Sequence, residues 1–184
     1  PVAPAERSSS DDDAVALLSG GLDSLIGAID LSAAGPRVFT VSQVVRGDQA
    51  KQKGFAAEIG GGLNHIVLNH NARPIGRSKE PSQRARSIGF IAMGCLVASS
   101  LDRHRSNEAT EMYINENGFI AINPALTPAR LGSLSTRTAH PHFLGLLQGV
   151  LDQVGLGILL RNPYALMTKG EMLQDCADQD LLER

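Results

Sequence analysis

The sequence predicts an α/β fold, a doubly wound parallel sheet with helices on both faces. Three observations predict it. Short apolar, β-branched runs alternate with stretches of helical length, giving strand–helix–strand–helix–strand from Ala14 to Asn69. The first run, Ala14-Val15-Ala16-Leu17-Leu18, contains no polar residue, the pattern of a strand covered on both faces. A Ser19-Gly20-Gly21 turn follows at once and opens a helix, the unit that places ligands at the carboxyl ends of such strands.

Each element has its own local reason. Leu22, Leu25, Ile26, Ile29 and Ala33 fall on one helical face, and Gly35-Pro36 ends that helix. Arg37 to Ser42 is rich in β-branched and aromatic residues and reads as the second strand. Asp48 to Ile59 is a polar helix closed by Gly60-Gly61-Gly62, and His65 to Asn69 is the third strand. His65 and His70 flank that strand as polar edges. Ser82 to Ser87 leads into an apolar helix whose predicted buried face is Ile88, Ile91, Ala92, Cys95, Leu96 and Ser99. Glu111 to Ile114 is a fourth strand, and Phe119 to Asn123 is expected to be extended as well. Phe143, Leu146, Leu147, Val150, Leu151 and Val154 mark an amphipathic helix closed by Gly155. Ile158 to Leu160 is the fifth strand; Thr168 then caps the last helix, with Glu171 at capping-box spacing.

At 184 residues the chain suits one domain, 14–184, preceded by a flexible arm, 1–13, whose Asp11-Asp12-Asp13 run is expected to be solvated. A formal charge of −2 offers no global attraction to nucleic acid or an anionic membrane. No apolar run approaches the roughly 18 residues of a membrane span. No signal peptide is visible, and two cysteines suit a reducing compartment, so a cytoplasmic location is expected.

Chemistry-bearing residues concentrate in four places. The loop Ser19-Gly20-Gly21-Leu22-Asp23-Ser24 combines glycines, two hydroxyls and a carboxylate at a helix start, where free N–H groups favour an anion such as phosphate. Read without a ligand, Asp23 is a first-turn carboxylate favoured by the dipole. Ser42 and Gln43 end the second strand, where the adenine or ribose of a nucleotide would lie. Arg84 and Arg86 stand at a helix start against the dipole and want an anion, either a nucleotide phosphate or a neighbouring carboxylate; Lys169, in the first turn of the last helix, reads either as a solvated surface lysine or as a phosphate contact. Finally, 123–142 is a polar stretch with Arg130, Arg137, Thr138, His140 and His142, suited to a polar or anionic substrate. His140 and His142 read either as an H-x-H metal pair or as polar residues opening the next helix.

The S-G-G-L-D-S loop resembles the pyrophosphate loop of the PP-loop ATPases, and the G-x-x-x-x-G-K-[ST] pattern is absent. Taken with Arg86-Ser87, the Arg137-to-Phe143 segment and Thr168-Lys169-Gly170-Glu171, the chain is similar to the 7-cyano-7-deazaguanine synthase (QueC-like) family from about Ala14 to Leu173. Glu116-Asn117-Gly118 and the Ser-Thr-Arg-Thr-x-His-Pro segment look more like its divergent members encoded with anti-phage defence systems.

That resemblance implies an adenine nucleotide alpha hydrolase-like fold and an AMP-forming ligase. It implies ATP held by Ser19, Gly20, Gly21, Leu22, Ser24 and Ser42, magnesium at Asp23, and Arg86 and Lys169 as catalytic cations beside Asp23. Glu116, Arg137, Thr138 and His140 would orient the acceptor, a small molecule or a protein; a homodimer and defence-system partners are further expectations. Zinc is a family cofactor bound by a cysteine cluster, but only Cys176 follows the Thr-Lys-Gly-Glu helix up to Arg184. A tRNA-modifying enzyme and a non-catalytic ATP sensor are the alternatives.

Overall fold

The computed structural model describes residues 13–44, 49–69, 86–101, 108–122, 124, 128 and 138–183. Five parallel strands form its sheet: β1 (Asp13–Leu17), β2 (Arg37–Gln43), β3 (Asn64–Leu68), β4 (Thr110–Tyr113) and β5 (Ile158–Arg161). Their order is β3-β2-β1-β4-β5. The chain winds outward from β1 through β2 to β3, then crosses back to place β4 on the other side of β1. This is the doubly wound parallel arrangement the alternating pattern predicts, and it creates a switch point between β1 and β4.

Helices cover both faces. α1 (Leu22–Ala34) and α2 (Gln49–Glu58) lie on one, packing Leu25, Ile26, Ile29 and Ala56 around Leu18. The other carries α3 (Arg86–Ala98) and α5 (Pro141–Gln153), which bury Ile91, Val97 and Leu151 against Val15, Leu17, Met112 and Ile158. Between them in sequence is a short helix, α4 (Gly118–Ile122); α6 (Lys169–Asp175) and α7 (Gln179–Leu182) complete the chain. Met172 of α6 joins the α1 side of the core. Gly35, at φ 109°, ends α1 in the left-handed region, as the Gly-Pro signal predicts.

Four local expectations are corrected. Asp13 belongs to β1 rather than to an arm: it is buried, and both carboxylate oxygens accept from Arg37 at 2.7 Å. Asp13 and Arg37 pair in register, so neighbouring strands supply what composition alone could not. Residues 118–122 are helical, not extended, because Asn117 accepts from the N–H groups of Phe119 and Ile120 and nucleates a turn. The face predicted for α3 is rotated. Ile88 and Leu96 are exposed, while Ile91, Gly94, Val97 and Ala98 face the sheet. A Cβ on Gly94 would stand 2.6 Å from Met112 Sδ and 2.8 Å from Leu17 Cδ2, so this glycine sets the close approach of helix to sheet. Similarly, α5 buries Leu151 but leaves Leu146, Val150 and Val154 exposed.

Candidate functional site

The site forms where β1 and β4 diverge. Leu18 ends the β1 hydrogen bonding, donating to Val41 O at 2.8 Å, and the chain then turns through Ser19, Gly20 and Gly21 into α1. Gly20 sits at φ 89°, a conformation that disfavours any side chain. Ser24, one turn into the helix, ties the loop down: its Oγ donates to Gly21 O at 2.8 Å and accepts from Ser19 N at 3.2 Å. The Ser19 and Ser24 hydroxyls are 3.0 Å apart, and Gly21 N donates to Ser19 Oγ at 3.3 Å. Gly21 is the N-cap, and no side chain caps the helix. The first-turn amides of a 13-residue helix therefore meet an exposed glycine loop, which is the geometry of an anion cradle.

Beneath the loop lie two braces. Ser42 Oγ donates to Leu18 O at 2.5 Å, and Gln52 Nε2 from α2 donates to Ser19 O at 3.1 Å. Both side chains are buried. The strand of Ser42 is flanked by β1 and β3, and its hydroxyl is turned inward to hold the loop.

Asp23 is the centre of a buried polar cluster. Its Oδ2 accepts from both the backbone N of Asn117 at 3.1 Å and Asn117 Nδ2 at 2.5 Å. Its Oδ1 lies 2.9 Å from Lys169 Nζ. Lys169 reaches it from the start of α6, where Thr168 Oγ1 accepts from Glu171 N at 3.2 Å and Glu171 Oε2 accepts from Thr168 N at 2.6 Å. This is the reciprocal capping box that the spacing predicts. The anion that Lys169 finds here is a carboxylate, a partner that neither reading of the sequence named. A divalent cation at Asp23 would have to take Oδ1 from Lys169; among the described residues no group of three His, Cys, Asp or Glu could hold a metal.

The loop after β4 forms the facing wall. Asn162, after β5, clamps Glu116 from both sides: its Oδ1 accepts from Glu116 N at 3.4 Å and its Nδ2 donates to Glu116 O at 2.9 Å. Burial, reinforced by the nearby Asp23 charge and opposed by Lys169, pushes the Glu116 carboxyl up to about 7. Between the two loops opens a cleft of about 330 Å³ with a polar rim of Ser19, Ser24, Ser87, Glu116 and Thr138 and an apolar wall of Leu17, Phe90 and Ile91. Its volume suits a small molecule.

The structure thus gathers Ser19, Gly20, Gly21, Leu22, Asp23, Ser24, Glu116, Thr138 and Lys169 at one end of the sheet. His140 is not on that wall. It is the N-cap of α5, with Nδ1 accepting from His142 N at 3.1 Å, so the pair opens a helix. Arg86 begins α3, but its side chain, with Arg84, Arg130 and Arg137, lies outside the described residues, as do His70 and nearly all of 123–137. Sequence patterning assigns no site role to Gln52 or Asn162, and Asn117 enters only within the Glu116-Asn117-Gly118 segment of the resemblance. Only Asn117-Gly118 carries a local signal, that of a helix cap. No protein-family model and no curated protein matches the chain.

Proposed function

We propose that this chain is an ATP-dependent enzyme of the PP-loop, QueC-like type with an adenine nucleotide alpha hydrolase-like fold. It adenylates an acceptor carboxylate or amide oxygen and then transfers the acyl group to nitrogen. The observation that carries the proposal is the Ser19–Ser24 loop at the switch point, with a side-chain-uncapped helix start and the Asp23–Lys169 pair beside it. ATP lies across the carboxyl ends of β1 and β4, its phosphates against the amides of Gly20, Gly21 and Leu22. The acceptor oxygen attacks the α-phosphorus, the α–β anhydride bond breaks, and pyrophosphate leaves. A nitrogen nucleophile then forms a bond to the acyl carbon, and AMP departs.

Lys169 exchanges Asp23 for phosphate and steadies the charge on the departing pyrophosphate, with Arg86 as a second cation. Magnesium at the Asp23 Oδ1 so released would screen the same charge. Thr138 and Glu116 bound the acceptor, whether a deazaguanine-type acid or a defence-system protein. A cytoplasmic location belongs to the same proposal. The test is the product of ATP incubation, resolved by chromatography, with 7-carboxy-7-deazaguanine and ammonium present or withheld. AMP and pyrophosphate are expected. ADP would refute the reading, and ATP-dependent association with a partner without AMP would favour a nucleotide sensor.

A further inference from the structure

We propose that the outer surface of α3 and α5 is a dimer interface, occupied by the same surface of a second copy of this chain. The two helices lie side by side on one face of the sheet, α3 over β2, β1 and β4, and α5 over β5. Each leaves an apolar stripe in solvent at i, i+4, i+8 spacing: Ile88, Ala92 and Leu96 on α3, and Leu146, Val150 and Val154 on α5. The five large side chains among them are between 52% and 64% exposed. Gln148 holds α5 to the free edge of β5, donating to Ile158 O and accepting from Leu160 N, each at 2.8 Å. The α5 stripe lies on the opposite flank of the helix from Gln148 and so turns toward α3, which makes one surface of the two.

Charge and area together name the occupant. After Arg86, α3 carries no charged residue, and α5 carries only Asp152. A helix on the surface of a domain normally presents charged residues to water, and one that is apolar all round is a covered one. Among the described residues no helix is long and apolar enough to cross a membrane. Depletion of charge marks the centre of a protein interface. Across a two-fold axis a surface meets itself, so a charged face would oppose its own sign, whereas this one is self-complementary. The five exposed side chains leave on the order of 500 Å² of apolar surface, large for a monomer and sufficient as the centre of the roughly 800 Å² that each partner buries in a stable complex. A Cβ on Gly145 or Gly149 would meet nothing within 4 Å, so the surface beside Leu146 and Val150 is open to an approaching helix.

The experiment measures the mass of the full chain by sedimentation velocity across the micromolar range, with no nucleotide added, so its outcome is independent of the adenylation reading. Wild type should sediment at twice the mass of the chain. Val150→Glu and Leu96→Glu each put a charge on an already exposed position, one on each helix, and should weaken self-association by at least about 100-fold with circular dichroism unchanged. Phe119→Glu, at an exposed apolar position of α4 outside both helices, should leave the dimer intact. A monomeric wild type, a dimer that survives both substitutions, or a dimer that Phe119→Glu disrupts equally would overturn the assignment. Wild type that stays monomeric and co-sediments with phosphatidylcholine vesicles would give the face to a lipid surface and overturn it as well.

Discussion

Replacing Asn117 by Asp tests whether the Asn117–Asp23 contact organises the site. The side chain is 1% exposed and performs two tasks: Oδ1 caps α4, and Nδ2 donates to Asp23 Oδ2. Asn117→Asp keeps an acceptor for the cap but removes the donor and places a second carboxylate against Asp23. The lost charge-assisted bond is worth about 1.5–3 kcal/mol. Repulsion at about 4 Å adds about 4 kcal/mol at an effective dielectric of 20, and Lys169 offsets part of it. A net loss of about 4 kcal/mol lowers the melting temperature of a chain this size by about 10 °C. Because the penalty needs both groups charged, stability is retained at low pH and lost as pH rises through the carboxylate range. Circular dichroism melts at pH 5 and pH 8 would read it. The double variant Asp23→Asn/Asn117→Asp restores a donor–acceptor pair and should recover about half the loss. A pH-independent loss, or a variant as stable as wild type at pH 8, would refute the reasoning.

Asp23→Asn should leave the fold intact by circular dichroism while lowering AMP formation by at least about 100-fold; full activity would remove Asp23 from the proposed chemistry. Gly94→Ala should destabilise by about 1–3 kcal/mol in urea, because its Cβ falls 2.6 Å from Met112 Sδ, and a neutral result would show that α3 can lift from the sheet. Asp13→Ala should cost about 1–2 kcal/mol, a value kept modest because Arg37 is 58% exposed and its charge well screened. A loss below about 0.5 kcal/mol would return Asp13 to the class of surface charges.

The sequence by itself determined the elements whose cause is local. The all-apolar run of β1, the glycine turn and the Leu22–Ile29 stripe specify strand, loop and helix with no help from the rest of the chain. Thr168 and Glu171 likewise form their capping box within a single turn. What only the tertiary structure decided involves partners distant in sequence. Asn117 meets Asp23 across 94 residues, and Lys169 reaches it from farther still; neither contact leaves any periodicity to read. The rotated face of α3 has the same origin. Its sequence is apolar around much of the circumference, so patterning permitted several faces, and the close fit of Gly94 over Leu17 and Met112 selected one. Ser42 and Gln52 repeat the lesson at the site. Position along β2 put Ser42 near the ligand end of the sheet, but its bond to Leu18 O, like that of Gln52 to Ser19 O, joins elements distant in sequence and follows from the packing of the strands. Local propensity writes the elements. The switch-point geometry of the sheet decides which side chains meet there, because that meeting depends on strand order, and strand order is a long-range property.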